Sequence, residues 1–377
     1  MLRIFRKILK LLSWIIFEPS RISTHLRRQM LAPTNTLYGI VSAVARRARL
    51  TTAAQSEKGD KMLCGVYDTN RNPITFDFVY FLATLASLAN GRDFSICIIK
   101  RSFEVFQVEE MIKGHLSDED YHWRLHNILL PLTSLFEKCT SVYLVENYED
   151  LSGAIKVKTI FPERGVGNYF PVFSYKDFYR LVNTFGANLT PPARAKRYVE
   201  DWIEAGNYRK DLITVTLRQY SFDRERNSNL AEWKAAADWL RLQGYDVVIV
   251  PDTEASFEKF DEGVFAEPCW NIGLRAALYE KASLNFFVSS GVNALAQLNP
   301  RVNYVIMKFF VPNSITADVD ALSHGGHLEA IDSDRRRFNF SKVNVGAYQI
   351  VSFEEDSLVN IQREFRLFRE FIEETKL

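Results

Sequence analysis

The feature that most constrains the fold is the alternation of apolar strand-like runs and helical segments in residues 211–308. Short runs rich in β-branched and aromatic residues occupy 213–217 (ITVTL), 246–250 (DVVIV) and 284–288 (LNFFV). A polar or glycine-containing turn and then a helical segment follow each run. Strands that alternate with helices form parallel sheets, because two neighbouring parallel strands need a crossover connection. The pattern therefore predicts an α/β fold.

A second alternating unit precedes this one. Strand-like runs lie at 61–67, 94–99 and 140–145, and a long apolar helical segment lies at about 75–89. A chain of 377 residues is also long enough for two domains. We therefore predict two Rossmann-like domains, at 60–190 and 191–350, with parallel sheets that face a central cleft. The apolar spacing in 351–377 predicts a C-terminal helix that packs back on the body.

Charge and cysteine content argue against some classes of function. The net charge is +1, but residues 1–50 contain ten basic residues and one acid, so they carry +9 and the remainder carries −8. A mildly acidic body argues against nucleic acid as a partner. The four cysteines form no CxxC pair, so neither a disulfide framework nor a zinc site is indicated and a reducing cytoplasm is expected.

The basic N-terminus begins MLRIFRKILKLLSWIIF, a pattern typical of an amphipathic helix. The apolar residues that share one face are Leu2, Phe5, Leu9, Leu12 and Ile16. The apolar run at 11–17 is too short to span a bilayer. The basic residues before it are interleaved with apolar residues, whereas those of a signal peptide precede a single apolar block. We interpret residues 1–50 as a membrane-associating segment, with 1–30 on the anionic cytoplasmic face of the inner membrane. The alternative is an ordinary amphipathic helix that packs on the protein's own core.

Polar and small residues follow the predicted strands of the second domain. Arg218 follows the first strand, and Asp252 follows the next. The turn after the third strand consists of Ser289, Ser290, Gly291 and Val292. Ligands of open parallel sheets bind outside the carboxyl ends of the strands, arginine grips phosphate oxygens, and small residues at a helix N-terminus admit an anion. These residues predict a site for a phosphorylated ligand, although Asp252 is equally suited to cap the next element.

Three further arginines of the second domain have two interpretations each. Arg275, on a predicted helix, is placed either to reach the cleft or to pair with Glu267 or Glu280. Arg224 and Arg226 lie in the loop behind Arg218, and we interpret them as solvated loop charges, with contact to a diphosphate as the alternative.

Candidates for a general base lie in the first domain. Asp77 stands at the start of the helix near 75–89, where it serves either as a base or as a partner of the helix dipole. His122 and His126 are four residues apart on a predicted helix, and histidine is a residue type suited to general-base catalysis near neutral pH, with His126 as the candidate. No third ligand accompanies the two histidines, so no metal site is predicted. Walker, dinucleotide-binding and nucleophile-elbow motifs are absent.

The combination of these features resembles the GT-B glycosyltransferases over about residues 60–350. Arg218 after the first strand of the second domain, Asp252 after a later strand, and Ser289 and Ser290 in a turn resemble the fucosyltransferase-like branch. The run DTNRNPITFD at 68–77 is similar to bacterial surface-polysaccharide glycosyltransferases. One departure from the fucosyltransferase pattern is that the next arginine after Arg218 is Arg224.

The resemblance implies a nucleotide-sugar donor, with GDP as the candidate nucleotide, that is bound mainly by the second domain without a cofactor or obligatory metal. It also implies a glycan or lipid-linked acceptor. The sequence therefore predicts a metal-independent glycosyltransferase of bacterial surface polysaccharide synthesis. Two alternatives remain: a non-catalytic GT-B-like protein that binds a glycan or partner, and a nucleotide-sugar epimerase.

Overall fold

The computed structural model describes residues 62–101, 117–155, 159–163, 170–185, 189–256, 263–332, 334, 336–338 and 346–375. The chain divides into two compact units, Met1–Asp60 and Lys61–Leu377, and every described residue belongs to the second. The predicted N-terminal amphipathic helix and its membrane contact lie outside the described residues. Within the described part of the chain, no helix combines the length and the apolar character needed to cross a bilayer.

The first half is built on a four-stranded parallel sheet, which we call sheet A. Its strands are β1 (Leu63–Asp68), β2 (Phe94–Ile99), β3 (Cys139–Val145) and β4 (Thr159–Phe161), in the order β3-β2-β1-β4. All six residues of β2 are buried, as expected for a central parallel strand that is covered on both faces.

The second half is built on a five-stranded parallel sheet, which we call sheet B. Its strands are β5 (Leu212–Thr216), β6 (Asp246–Val250), β7 (Leu284–Val288), β8 (Tyr304–Met307) and β11 (Gln349–Val351), in the order β11-β8-β7-β5-β6. A small antiparallel pair, β9 (Ile331–Asp332) and β10 (Arg337–Phe338), lies outside both sheets. The predicted α/β class with two parallel sheets is confirmed.

Helices connect the strands of both sheets. In the first half they are α1 (Phe78–Ala89), α2 (Asp118–Arg124), α3 (Leu130–Thr133), α4 (Leu151–Ile155) and α5 (Tyr175–Phe185), with a π-helical turn at Leu125–Leu129. In the second half they are α6 (Ala193–Ala205), α7 (Leu230–Leu242), α8 (Ile272–Lys281), α9 (Asn293–Gln297), α10 (Val319–Gly325) and α11 (Leu358–Thr375). Short 3₁₀ turns lie at Arg224–Arg226, Thr253–Ala255 and Glu267–Cys269.

The largest hydrophobic core draws residues from both halves. Helix α1 is buried on nearly all of its faces, which explains why its sequence is apolar all round. Phe78 and Leu85 of α1 belong to the same core cluster as Phe287 of β7 and Leu295 of α9. The Tyr80 hydroxyl also donates a hydrogen bond to the side-chain oxygen of Gln297 in α9. Sheets A and B are therefore joined by a common apolar core.

The C-terminal helix packs on the outer face of sheet B. Ile361, Phe365 and Phe368 are buried on α11 and share a core cluster with Trp233 and Leu240 of α7. The spacing of these apolar residues follows the helical period, so one stripe of α11 faces the body. The segment just before α11 supplies β11, which is the edge strand of sheet B.

A buried ion pair fixes α11 to the segment that precedes β10. Both oxygens of Glu364, which is fully buried, accept hydrogen bonds from Arg336 at 2.7 and 3.0 Å. We expect Arg336→Met to lower the free energy of unfolding by about 2 kcal/mol, because the buried carboxylate loses its two-pronged partner but keeps the hydrogen bond from Arg363 at 3.3 Å. Urea unfolding would measure the change. Arg369→Met on the same helix is the control, since its pair with Glu373 is exposed and is worth less than about 1 kcal/mol. Equal losses in the two variants would contradict the prediction.

Candidate functional site

Arg218 folds its own loop at the carboxyl end of β5. Its guanidinium donates hydrogen bonds to the carbonyl oxygens of Asp223 (3.0 Å) and Phe222 (2.7 Å), and to the side-chain oxygen of Asn227. Burial lowers the pKa of Arg218, although Asp252 and Asp223 oppose this effect. These contacts close residues 218–227 into a compact loop. They show that Arg218 shapes the loop, and the contact of Arg218 with phosphate stays a prediction.

Arg226 is the arginine of this loop that reaches across the strand ends of sheet B. Nη2 donates to the Ser289 carbonyl oxygen at 2.9 Å, and Nη1 donates to Thr316 Oγ1 at 2.6 Å. Its Nε is buried and makes no hydrogen bond in the structure. Burial, followed by repulsion from Arg218, lowers the pKa of Arg226 to about 10. The group therefore still carries its charge at neutral pH, in a largely dry position.

Asp223 helps to hold Arg226 in its position. It adopts a left-handed backbone conformation (φ 56°), which aspartate tolerates better than most residues. Its carboxylate accepts hydrogen bonds from Ser314 Oγ (2.7 Å) and Thr316 Oγ1 (2.9 Å), and it lies 3.9 Å from Arg226. Asp223 thus ties the loop after β5 to the loop after β8 and fixes the threonine that Arg226 contacts.

The stabilising effect of Asp223 should depend on pH. Burial alone raises the pKa of Asp223, but hydrogen bonds from Ser314 and Thr316 and the charge of Arg226 bring it below its ordinary value. A carboxylate with a lowered pKa in the folded state stabilises above its unfolded pKa of about 3.9, and loses this effect as the pH falls through the folded value. We expect Asp223→Asn to lower Tm by a constant amount above about pH 5, and the difference from wild type to shrink below about pH 4. Thermal unfolding across this range would measure it, and a difference that grows in acid would contradict it.

The turn after β7 lies beside Arg226. Ser289 is buried, and Ser290 Oγ bonds to Asn293 Oδ1 at 3.0 Å, so the turn is held by its own side chains. Gly291 faces Phe76 of the first half, since a Cβ added at Gly291 would lie 3.2 Å from the Phe76 Cβ. Val292 precedes α9, which has only five residues. The predicted helix at this turn is present but short.

Asp77 stands on the opposite side of this contact, next to Phe76. The Thr75 hydroxyl donates a hydrogen bond to Asp77 Oδ2 at 2.9 Å. Burial lowers the pKa of Arg226, and the charge of Asp77 opposes this effect less than that of Asp223. Asp77 of the first half and the turn that Arg226 contacts in the second half lie on either side of the contact between Phe76 and Gly291.

Asp252 and Arg275 hold the framework around sheet B. Asp252 Oδ2 accepts a hydrogen bond from the backbone N–H of Gln219 at 3.1 Å, which ties the loop after β6 to the loop after β5. Arg275 is buried on α8, where Nε donates to the Pro268 carbonyl oxygen at 2.7 Å. Asp252 lies near Arg218 at the strand ends, whereas Arg275 braces the turn at Glu267–Cys269.

The two predicted histidines of the first half are exposed. His122 lies on α2 and His126 on the π-helical turn. The neighbouring Arg124 links this helix to the second half, because its Nη2 donates to the Tyr220 hydroxyl at 2.6 Å. None of the contacts described for this part of the chain joins His126 to Asp77 or Arg226. Among the described residues, no cluster of three or more His, Cys, Asp or Glu side chains is arranged to hold a metal ion.

The structure brings some of the predicted residues together and separates others. Gly291 meets Phe76, the neighbour of Asp77, while Arg218 and Asp252 lie at the same edge of sheet B, where Asp252 accepts a hydrogen bond from the backbone of Gln219. The sequence interpretation missed Arg226, which it treated as a solvated charge, and His327, which lies beside Tyr175. The sequence places Arg226 two residues after Arg224. It does not reveal which of these two arginines turns toward the strand ends of sheet B.

No family model matches the chain, and no curated protein matches it. Among solved structures, the chain is similar to a glycosyl transferase family 9 protein from Veillonella parvula (9% identity, TM-score 0.49, 83% of this chain and 98% of that chain). It is also similar to the E. coli ADP-heptose LPS heptosyltransferase II (10%, TM-score 0.46, 84% and 100%). A third similarity is to the E. coli heptosyltransferase WaaC with ADP (11%, TM-score 0.36, 82% and 100%).

Proposed function

We propose that this chain is a GT-B-type glycosyltransferase. It moves a sugar from a nucleotide-sugar donor to a hydroxyl group of a glycan or lipid-linked acceptor in bacterial surface polysaccharide synthesis. The observation that carries the proposal is that Phe76, the neighbour of Asp77 in the first half, meets Gly291 of the second-half turn whose Ser289 accepts a hydrogen bond from Arg226. Sugar transfer needs a base for the acceptor and positive charge for the departing diphosphate, and Asp77 and Arg226 supply them.

The reaction follows from these two groups. Asp77 takes the proton of the acceptor hydroxyl, and the acceptor oxygen attacks the anomeric carbon of the donor. The bond from that carbon to the diphosphate breaks, and its electron pair leaves with the diphosphate. Arg226 stabilises this growing negative charge, and its buried Nε is a free donor beside the site. A guanidinium in this place supplies charge stabilisation without a metal.

The remaining predicted residues support this arrangement. Arg218 shapes the loop that presents Arg226, and Asp252 ties that loop down while it orients the nucleoside. The donor phosphates lie along Ser289, Ser290, Gly291 and Val292, where the small side chains leave the backbone accessible. Arg275 keeps the adjacent turn in place. His126 is the second candidate for the base, since it is exposed on its helix, whereas Asp77 follows Phe76, which contacts Gly291 of the second half.

Nucleotide binding and sugar transfer test the proposal in two stages. Calorimetric titration with ADP, GDP, UDP and CDP should show that one of these nucleoside diphosphates binds the protein. GDP is the candidate that the fucosyltransferase-like resemblance implies. Mass spectrometry should then detect an acceptor that is heavier by one sugar when the matching nucleotide sugar is supplied. Binding of no nucleoside diphosphate would sink the proposal and favour a glycan- or partner-binding protein. Release of an altered sugar nucleotide without any acceptor would favour an epimerase.

We also propose that residues 1–30 hold the enzyme on the cytoplasmic face of the inner membrane. The support is the sequence pattern, since these residues combine an apolar face with clustered arginine and lysine. Flotation with liposomes that contain anionic lipid should bring up the full chain but not a chain that lacks residues 1–30. Equal flotation of the two proteins would contradict this placement.

A further inference from the structure

Thr316 stands between Arg226 and a buried carboxylate. Its role is inferred on the basis of the proposed function, in which Arg226 contacts the departing diphosphate. The Thr316 hydroxyl accepts a hydrogen bond from Arg226 Nη1 at 2.6 Å and donates one to Asp223 Oδ2 at 2.9 Å. A guanidinium only donates and an ionised carboxylate only accepts, so the direction of both hydrogen bonds is fixed. Thr316 therefore joins the two charged groups in one defined order.

The loop that carries Thr316 is held on the same carboxylate. Ser314 Oγ donates to Asp223 Oδ2 at 2.7 Å, and the Ile315 N–H donates to Asp223 Oδ1 at 3.3 Å. Ser314 Oγ also accepts a hydrogen bond from the backbone N–H of Thr316 at 3.2 Å. The Asp223 side chain is 2% exposed, so it is a buried anchor for this loop. The backbone and the side chain of Thr316 are thus both fixed by the fold.

This arrangement orients Arg226 through neutral groups. The nearest atoms of Arg226 and Asp223 are 3.9 Å apart, so the Thr316 hydroxyl carries the contact between them. Nη1 donates to that hydroxyl, and Nη2 donates to the Ser289 carbonyl oxygen at 2.9 Å. A carboxylate in direct two-pronged contact would take up one edge of the guanidinium. Neutral partners fix the same group while its positive charge and its further N–H donors remain for a phosphate.

We propose that Thr316 is a positioning residue for Arg226. It holds the guanidinium beside the turn after β7, where the donor phosphates are proposed to lie. It also keeps the carboxylate of Asp223 one hydroxyl group away from that guanidinium. A charged group stabilises a transition state best when its orientation is set beforehand, because no rearrangement then accompanies the reaction. Thr316 acts on the departing diphosphate only through Arg226.

Thr316→Val tests this role, because valine keeps the branched shape and lacks the hydroxyl. We expect kcat for sugar transfer to fall about tenfold and the Kd for inorganic pyrophosphate to rise about fivefold, since Arg226 loses the partner that orients it. Steady-state kinetics and calorimetric titration with pyrophosphate would measure the two quantities. Thr316→Ser keeps the hydroxyl and should bring both back to within about twofold of wild type.

Thr140→Val is the matched control. Thr140 is an exposed threonine on β3, the edge strand of sheet A, and its hydroxyl donates to the Phe94 carbonyl oxygen at 3.4 Å. The same substitution there should leave kcat and pyrophosphate binding at their wild-type values. A merely structural role for Thr316 predicts the same outcome for Thr316→Val, with a change in Tm alone.

The double variant Thr316→Val/Arg226→Ala separates this inference from the proposed function. If Thr316 acts through Arg226, its replacement has no further effect on kcat or on pyrophosphate binding once the guanidinium is gone. Independent multiplication of the two losses, or wild-type values for Thr316→Val, would overturn the positioning role while the transferase proposal stands. If the wild-type chain transfers no sugar but Thr316→Val weakens its pyrophosphate binding, the proposed function falls and the positioning of Arg226 stands.

Discussion

Replacing Asp77 by asparagine is expected to lower kcat for sugar transfer by about 10²- to 10⁴-fold, the range that general-base catalysis contributes. The amide keeps the size of the side chain and still accepts the hydrogen bond from Thr75, but it cannot take a proton from the acceptor. Because the carboxylate is proposed to act on the acceptor, the affinity for the nucleoside diphosphate should change little. Steady-state kinetics with saturating donor, together with calorimetric titration, would measure both quantities.

A carboxylate at the start of another helix provides the control for this change. Asp120 of α2 forms a capping box with Ser117, is exposed, and belongs to the same half of the chain. Asp120→Asn removes a charge from a helix N-terminus without touching the site, so kcat should stay within twofold of wild type. If Asp77→Asn behaves like Asp120→Asn, Asp77 serves only its helix and another group is the base.

Arg226→Ala is the second change with a large expected effect. Deletion of one charge-stabilising donor in a dry site typically costs about 10²- to 10³-fold in kcat, and we expect a loss of that size. Arg226 is largely buried, retains its charge with a pKa of about 10, and has a buried Nε that makes no hydrogen bond in the structure. Unlike Asp77, it is proposed to contact the diphosphate, so the Kd for the nucleoside diphosphate should rise at least about tenfold. Calorimetry and single-turnover kinetics would separate the two effects.

Arg224 is the matched control for Arg226. It lies on the same 3₁₀ turn but is exposed, so Arg224→Ala should leave both kcat and diphosphate binding close to wild type. Arg226→Lys keeps the charge but cannot span Ser289 and Thr316 together, because an ammonium lacks the planar fork of a guanidinium. Its activity should lie between those of wild type and Arg226→Ala. Equal effects of Arg224→Ala and Arg226→Ala would remove Arg226 from the site.

The parallel sheets were predictable because their strands are apolar on both faces. The run 246–250 is confirmed as β6, and 284–288 as β7, with the same bounds. Such strands are distinctive in a sequence because they combine β-branched and aromatic residues and end at turn-forming residues. The short strand β11 was not predicted, since its three residues give too little periodicity to separate them from a loop.

The direction of a side chain was harder to predict than its position in the chain. The sequence shows that Arg218 and Arg226 belong to the same loop. It does not show that the carbonyl oxygens of Phe222 and Asp223 turn the Arg218 guanidinium back on that loop. Those contacts arise only after the loop closes. The contact between Phe76 and Gly291 depends on how the two halves pack, which local patterns do not record. His327 was missed for the same reason, because its partner Tyr179 is 148 residues away.

The apolar core that joins sheets A and B bears on how substrates reach the proposed site. Helix α1 contributes to this core on nearly every face, and Leu85 and Leu295 belong to it from opposite halves. Wide hinge opening would bring that apolar surface into water, at a cost of about 25 cal/mol for each Å² exposed. We therefore expect the donor to enter and the nucleotide product to leave through small movements of the loops around the site, while sheets A and B keep their relative position.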